Sequence, residues 1–179
     1  TPFFIYGATS IALLGAATLA EFEGATLTIV YIVEIATLVL LSLALMKNAH
    51  VATMLSVLFV VPIALSGENI ASASWFDGVF HEDFFVLVML GVILALVGHK
   101  LRVYEGDSQK DAFTMGKVLL VIASLYGLAL IWLVLHAGTQ TYVTDVYGTQ
   151  AYGSTNAYER ATMYALIIYT VIGLVLNIV

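Results

Sequence analysis

Glu34 is the single charged side chain in a long apolar stretch of this sequence. It lies about ten residues into Ala25–Met46, a run of 22 residues with no other charged side chain. Such a run is long enough for a helix to cross a bilayer, whose hydrocarbon core needs about 20 apolar residues. A carboxylate near mid-membrane costs about 2.5–3.5 kcal/mol on insertion scales, so Glu34 is expected to face protein or trapped water.

Two kinds of chemistry fit this position. Intramembrane carboxyl groups often serve as proton-relay or cation sites. The alternative is a structural role, in which a protonated Glu34 is hydrogen-bonded to a threonine, serine or tyrosine of a neighbouring helix. The structural role is favoured, because few other polar residues are expected at the same depth.

The four histidines could serve as axial ligands of haem b. His50 and His99 are expected at one membrane face, and His81 and His136 at the other. This is the arrangement of a two-haem electron carrier, since each iron takes two axial imidazoles. However, His81 and His99 are 18 residues apart, which is about 27 Å along a helix. Both therefore fall at the membrane edges. We prefer to interpret them as interfacial histidines at helix ends rather than as haem ligands.

Asp77, His81, Glu82 and Asp83 form a possible divalent-cation site. Asp77 and His81 are four residues apart and would share one face of a helix. Oxygen ligands favour calcium, whereas an imidazole favours a transition metal. An acidic, solvated rim explains the same residues equally well. No cofactor is therefore expected, with haem b and a divalent cation as the alternatives.

Composition identifies the class of protein that positions these residues. The chain has 179 residues, of which 61% are hydrophobic and 10% charged, and its mean hydropathy is +1.02. An ordinary soluble domain has about 25% charged residues. This length has room for about six membrane-spanning helices of about 20 residues each. The prediction is an all-α, polytopic transmembrane helical bundle that forms one domain over residues 1–179.

Several functional classes do not fit the sequence. The absence of cysteine excludes disulfides and thiolate metal sites, and a net charge of −6 does not suit a nucleic-acid partner. No nucleophile elbow, phosphate-binding loop, metalloprotease helix or dinucleotide-binding glycine motif is present. The protein is therefore expected not to be an enzyme.

Six hydrophobic runs define the predicted spans, with a kink expected at Pro62. They are Phe3–Ala20, Ala25–Met46, Val51–Ser66, Phe84–Val97, Met115–His136 and Ala161–Val179. Basic residues are concentrated on one side of this arrangement, which holds Lys47, Lys100, Arg102, Lys110 and Lys117, whereas the other side holds only Arg160. Because cytoplasmic segments are rich in lysine and arginine, both chain ends are predicted to be cytoplasmic.

Two longer connections are predicted on the outer side, at residues 67–83 and 137–159. The first is rich in aromatic residues, which suit the headgroup region, in a loop or a short interfacial helix. The second is rich in Thr, Gly and Tyr, and shows no helical or strand period. Long ordered loops are usually functional or packed on a partner. The residues expected to contact a partner are Trp75, Phe76, Tyr142, Tyr147 and Tyr152.

The chain ends predict a larger context. The sequence begins at Thr1 rather than Met, and it stops at Val179 within a hydrophobic run. This favours an internal segment of a longer polypeptide. A processed or incompletely determined sequence is the alternative.

Two stretches resemble a known family. The first spans Ala25–Met46 and contains a Tyr-x-x-Glu-x-x-x-Leu pattern; the second, Asn156–Leu166, leads into Tyr169 and Gly173. Together they resemble the large bacterial multi-pass membrane proteins grouped as domain of unknown function 2339, whose members chain many helical hairpins. The resemblance implies a polytopic helical fold in a bacterial inner membrane and no established activity.

These observations favour a non-enzymatic scaffold or accessory subunit of a membrane complex. It would lie in the bilayer and contact a protein partner, the cell envelope or further segments of the same chain through its outer loops. A proton- or cation-coupled transporter using Glu34 is the first alternative. A haem b electron-transfer subunit using the histidines is the second.

Overall fold

The computed structural model describes residues 2–46, 49–105, 114–147 and 155–178. All regular elements in these ranges are helical, which confirms the all-α prediction. The α-helices are α1 (Pro2–Glu21), α2 (Gly24–Leu41), α3 (Ala49–Ser56), α4 (Val60–Ile70), α5 (Glu82–Glu105), α6 (Met115–Tyr147) and α7 (Thr155–Ile178).

Within the described residues, four helical stretches are long and apolar enough to cross a membrane. They are Gly24–Leu45, Ala49–Ile70, Glu82–Tyr104 and Met115–Gln140, and α1 contributes a shorter apolar stretch, Ile5–Glu21. These helices have the length and composition of an integral membrane protein. The runs Val51–Ser66 and Phe84–Val97 are short for full spans, which predicts extension into residues 48–50 and 98–101. The helices do continue past both runs, over Ala49–Ile70 and Glu82–Tyr104.

Two of these stretches contain a change of helix type. A π-helical turn, Ser42–Met46, continues α2, and a 3-10 turn, Val57–Phe59, separates α3 from α4. The second interruption directly precedes α4, whose first turn contains Pro62. Proline has no N–H to donate, and its ring clashes with the carbonyl four residues earlier, so it is tolerated in a first turn but not in a helix interior. The kink expected at Pro62 stays a prediction, and the structure shows a 3-10 turn directly before the helical turn that contains this proline.

The core of the bundle is aliphatic. Side chains from α2 and α5 form its centre, with zero exposed area at Ile32, Val39, Leu90, Leu94, Val97 and Leu101. Phe59, between α3 and α4, and Leu119 of α6 complete this cluster. Helix α1 packs mainly on α2, and α7 packs mainly on α6. The two outermost helices in the sequence therefore cover the core less than the four stretches between them.

Helices α5 and α6 approach each other closely at two glycines. A Cβ atom built on Gly116 would lie 2.8 Å from the Arg102 backbone nitrogen and 2.9 Å from the Gly98 carbonyl oxygen. A Cβ on Gly98 would lie 3.0 Å from the Gly116 carbonyl oxygen. The crossing therefore depends on the absence of a side chain at Gly116, as is common where membrane helices pack tightly.

The prediction of a loop at residues 137–159 was wrong for most of this segment. Helix α6 continues to Tyr147, and α7 begins at Thr155. The high threonine content suggested a loop, but the hydroxyl group of Thr139 is hydrogen-bonded within the helical structure. Its Oγ1 is 2.9 Å from the Leu135 carbonyl oxygen and 3.1 Å from the Ala161 carbonyl oxygen of α7.

The segment 67–83 is also ordered. Helix α4 extends to Ile70, and a 3-10 turn follows at Ala73–Phe76, in keeping with the short helix suggested by the sequence. Helix α5 begins only at Glu82, and Gly78 has a φ of +147°. Asp77 therefore does not share a helix face with His81, which corrects the basis of the predicted cation site.

Candidate functional site

Glu34 lies at the contact between α1 and α2, half-buried beside a hydroxyl donor. Thr18 Oγ1 is 2.8 Å from Glu34 Oε1, to which it donates a hydrogen bond. Thr18 is itself buried. Nearby, the Tyr31 hydroxyl donates to the Gly15 carbonyl oxygen at 2.8 Å. Two polar contacts therefore join α1 to α2.

This geometry matches the hydrogen-bonding pattern of the structural hypothesis for Glu34. A threonine hydroxyl from a neighbouring helix serves the carboxyl group, as that hypothesis requires. The sequence could not identify Thr18 as the donor, because several hydroxyl residues occur in the neighbouring helices. The proton-relay hypothesis stays a prediction.

Replacing Thr18 with valine should lower the free energy of unfolding by about 0.6 kcal/mol, the average for polar pairs between membrane helices, and by no more than about 1.7 kcal/mol, the largest value for such pairs. Valine has a similar shape but leaves the Glu34 carboxyl without this donor. Thr18→Ser keeps the hydroxyl and is the matched control. Unfolding in one detergent, followed by circular dichroism, measures the difference. Equal stability of the valine and serine variants would contradict the structural role of the pair.

Trp75 organises the second polar region, in the segment between α4 and α5. Its indole Nε1 donates to the Asn69 carbonyl oxygen at 2.9 Å, and its ring is 6% exposed. It packs with Leu87 of α5 and Ala137 of α6. The turn carrying Trp75 is capped by Ser72, whose Oγ accepts from the Ser74 backbone N–H. We call this connection, residues 67–83, the Trp75 segment.

His81 lies against Trp75 rather than in an open ligand site. The ring centroids are 4.3 Å apart in an edge-to-face arrangement. His81 Nδ1 is 3.5 Å from Asp83 Oδ2, whereas Asp77 and Glu82 are exposed. Among the described residues, no three histidine, aspartate or glutamate side chains are gathered closely enough to hold a metal ion. The cation site at Asp77, His81, Glu82 and Asp83 stays a prediction.

The other histidines lie in three separate environments. His50 of α3 and His99 of α5 are exposed. His136 is half-buried, with its ring centroid 5.9 Å from that of Trp132 and its Nε2 3.5 Å from Thr162 Oγ1. Haem ligation requires two imidazoles that face one iron. His81 contacts the Trp75 ring and the Asp83 carboxylate, and His136 contacts the Trp132 ring and the Thr162 hydroxyl. Haem binding stays a prediction.

The residues expected to contact a partner differ in accessibility. Phe76 is 54% exposed and Tyr142 60% exposed. Trp75 is buried by its own chain, so its indole is a packing residue and not part of an accessible surface. The side chain of Tyr147, and the whole of Tyr152, lie outside the described part of the chain.

Two further exposed phenylalanines follow Phe76 in the sequence and were not singled out as contact residues. Phe80 is 82% exposed and Phe85 is 57% exposed. Phe84 contacts both, with ring-centroid distances of 5.6 Å to Phe80 and 5.3 Å to Phe85. We call Phe76, Phe80 and Phe85 the aromatic patch. The density of aromatic residues before and at the start of α5 was the available signal for it.

A buried polar link also escaped the sequence analysis. The hydroxyl groups of Ser66 on α4 and Tyr126 on α6 are hydrogen-bonded to each other, and Ser66 Oγ is 2.7 Å from the Ile63 carbonyl oxygen. If Ser66 donates to that carbonyl, Tyr126 donates to Ser66, and both hydroxyl protons are used. The link satisfies two hydroxyls inside the bundle and ties α4 to α6.

Comparison with known proteins gives no match to a family model, a curated protein or a solved structure. The resemblance to the bacterial multi-pass family therefore stays a prediction.

Proposed function

We propose that the chain is a non-enzymatic scaffold or accessory subunit of a membrane complex, which engages a protein partner through the Trp75 segment. The observation that carries the proposal is that this segment is folded around a buried tryptophan and leaves large aromatic side chains exposed beside it. Phe80 has one ring contact, with Phe84, and still leaves 82% of its surface exposed. Exposed aromatic clusters on an ordered frame are typical of protein contact sites.

The packing of the core supports this proposal. The centre of the described bundle is filled with aliphatic side chains, and its buried serines bond to carbonyl oxygens of their own helices. Ser42 Oγ is 2.7 Å from the Val39 carbonyl oxygen, and Ser56 Oγ is 2.7 Å from the Thr53 carbonyl oxygen. Such a core gives a rigid support for the partner-binding segment.

A photo-crosslinking amino acid at Phe80 should capture one protein partner in cells. The matched control is the same amino acid at Leu45, which is 77% exposed in the π-helical turn after α2 and should yield lipid adducts. A single protein band at stoichiometric yield from Phe80, and none from Leu45, supports the proposal. Lipid adducts alone at both positions would overturn it and would make the patch a membrane anchor.

The proposed topology has six spans and both ends in the cytoplasm, with α1 and α7 as the first and last spans. It rests on the five basic residues near the α2–α3 and α5–α6 connections, against Arg160 near the start of α7. In this arrangement the Trp75 segment, the end of α6 and the start of α7 lie on the outer side. The cell membrane of a bacterium is the proposed location.

Single-cysteine labelling should test this topology cleanly, because the chain has no native cysteine. A cysteine at Glu68 or Glu82 should react with an impermeant maleimide in intact cells. A cysteine at His50 or His99 should react only after permeabilisation. All four positions are exposed, so accessibility within the protein does not decide the result. The reverse pattern would invert the topology.

A proton- or cation-coupled transporter is the second candidate, favoured by the half-buried carboxyl of Glu34 and its bond to Thr18. It requires pH-dependent ion flux in liposomes that Glu34→Gln abolishes. Glutamine can still accept the hydrogen bond from Thr18 but cannot carry a proton. Glu34→Gln therefore tests proton transport, whereas Thr18→Val tests the contribution of the hydrogen bond to stability. Flux that survives Glu34→Gln would exclude this function.

A haem subunit is directly testable by an absorption spectrum of the protein extracted in mild detergent. A haem band would direct mutagenesis to the four histidines, and stoichiometric metal would direct it to the acidic residues around His81.

A further inference from the structure

An open groove lies between α6 and α7, on the surface that the proposed topology places in the bilayer. Its volume is about 420 Å³, and its lining residues are Gly138, Thr139, Tyr142, Tyr164, Ile167 and Ile168. This volume falls within the roughly 300–1,000 Å³ typical of small-molecule sites. The helices run antiparallel here, as shown by the contact of Thr139 with Ala161 and that of Trp132 with Tyr169.

The antiparallel arrangement orders the lining residues by depth. Tyr142 is the outermost lining residue of α6, because the apolar stretch of that helix ends at Gln140. On α7, Tyr164 lies nearer the helix start, and Ile167 and Ile168 follow about one turn deeper. The groove therefore changes from phenolic at its outer end to aliphatic at its inner end, and Tyr142, Tyr164 and Ile167 are all exposed.

Arg160 places a positive charge beyond Tyr164, towards the outer end of α7. It is four residues before Tyr164 and seven before Ile167, which places the three on one face of α7. Its side chain is exposed, and helical side chains lean towards the N-terminus, which here is the outer end. A guanidinium group has five N–H donors in a planar fork that matches phosphate. It can therefore bind a phosphate while it also contacts another group of its own chain.

We propose that the groove binds one phospholipid, with its phosphate on Arg160, its glycerol region beside the two tyrosine hydroxyls, and an acyl chain along Ile167 and Ile168. The order of cation, phenol and aliphatic side chains along this face of α7 matches the order of phosphate, glycerol and acyl chain in the lipid. A transmembrane helix is a poorer fit, because such contacts are lined with small residues that let backbones approach. The inference rests on the proposed placement of α7 in the membrane.

Trp132 provides a reporter for this site. Its ring centroid is 5.8 Å from that of Tyr169, the residue after Ile168. The chain has two tryptophans, so Trp75→Phe leaves Trp132 as the single emitter while keeping an aromatic ring at position 75. The full chain with this change is titrated in dodecyl maltoside micelles with phosphatidylcholine brominated on its acyl chains. A bound acyl chain should quench Trp132 with saturation at low lipid mole fraction.

Gly138→Leu is the variant that should block the groove. A Cβ at Gly138 meets no atom within 4 Å, so leucine fills open space without disturbing the helix contact. We expect at least a tenfold weaker apparent affinity. Gly127→Leu is the matched control on the same helix, since its Cβ also meets nothing within 4 Å and Gly127 does not line this groove. Quenching in the control should equal that of the parent chain.

The phosphate contact has its own test. Arg160→Gln should weaken binding about three- to tenfold, and brominated diacylglycerol, which has no phosphate, should show the same loss with the unmodified Arg160. Quenching that rises linearly with lipid and is equal in Gly138→Leu and Gly127→Leu would overturn the site. Saturable quenching unaffected by Arg160→Gln or by loss of phosphate would overturn the phospholipid assignment. Either result leaves the cysteine-labelling topology intact, so failure of this inference is distinguishable from failure of the proposed membrane placement.

Discussion

Gly116→Leu is expected to abolish the folded bundle, and Gly116→Ala to lower the free energy of unfolding by about 1–3 kcal/mol, the usual cost of overpacking. Even the Cβ of alanine would lie 2.8 Å from the Arg102 backbone nitrogen and 2.9 Å from the Gly98 carbonyl oxygen. Both are backbone atoms of α5, which cannot rotate away as a side chain can. The helices would have to separate, and the leucines packed around the crossing would lose their contacts.

Glycines elsewhere in the same pair of helices provide the controls. A Cβ at Gly127 of α6 meets nothing within 4 Å, and a Cβ at Gly91 of α5 meets only Tyr126 Cβ at 3.7 Å, an ordinary contact. Alanine at either position should leave stability unchanged or raise it slightly, since alanine is the better helix former by about 1 kcal/mol. Unfolding in detergent, with monodispersity followed by size-exclusion chromatography, compares the variants. A Gly116→Leu protein as stable and monodisperse as Gly127→Leu would refute the close crossing.

The crossing also bears on the proposed binding surfaces. It fixes α5 against α6 at the end of the bundle opposite the Trp75 segment, where only glycine lets the backbones meet. At the other end, Trp75 fills the space beside Leu87 and Ala137. Helices α5 and α6 are thus in backbone contact at Gly116 at one end and are both packed against Trp75 at the other. These two contacts give the Trp75 segment a rigid base.

The sequence predicted the helices better than their ends. Apolar runs locate membrane helices because a buried backbone must satisfy its hydrogen bonds internally. Beyond the apolar run the backbone no longer has to satisfy its hydrogen bonds internally. Hydropathy therefore no longer indicates whether a helix continues. Helix α6 passes through Thr139 and on to Tyr147, and the Thr139 hydroxyl bonds to a carbonyl oxygen of its own helix. Composition alone made this stretch look like a loop.

A site could be predicted from the sequence where a single residue identifies it. It could not be predicted where it depends on which two helices are in contact. Glu34 stood out by its depth, and a hydroxyl partner was expected. That the partner is Thr18 depends on how α1 crosses α2. Ser66 and Tyr126 are 60 residues apart in the chain, and neither is unusual by itself. Their pairing, like that of the two crossing glycines, follows from helix neighbours that a single sequence does not specify.

Trp75→Ala is expected to lower the free energy of unfolding by about 3–5 kcal/mol, the cost of removing a large buried aromatic side chain. The indole fills the space between Leu87 and Ala137, and its N–H serves the Asn69 carbonyl oxygen. Trp75→Phe keeps most of the packing and loses this hydrogen bond, so it should cost only about 1 kcal/mol. Unfolding in detergent measures the stability, and hydrogen exchange should show faster exchange in the Trp75 segment of the alanine variant.

Phe76→Ala separates the partner-binding role of this segment from its packing. Phe76 is the neighbour of Trp75 in sequence but is 54% exposed, and exposed substitutions usually change stability by no more than about 0.5 kcal/mol. If the aromatic patch binds a partner, Phe76→Ala should reduce the protein crosslink formed at Phe80 several-fold at unchanged stability. Trp75→Ala should reduce the crosslink and the stability together. A Phe76→Ala protein that crosslinks as efficiently as the parent would show that the patch does not bind a partner, because the frame would be intact and only an accessible contact residue would be missing.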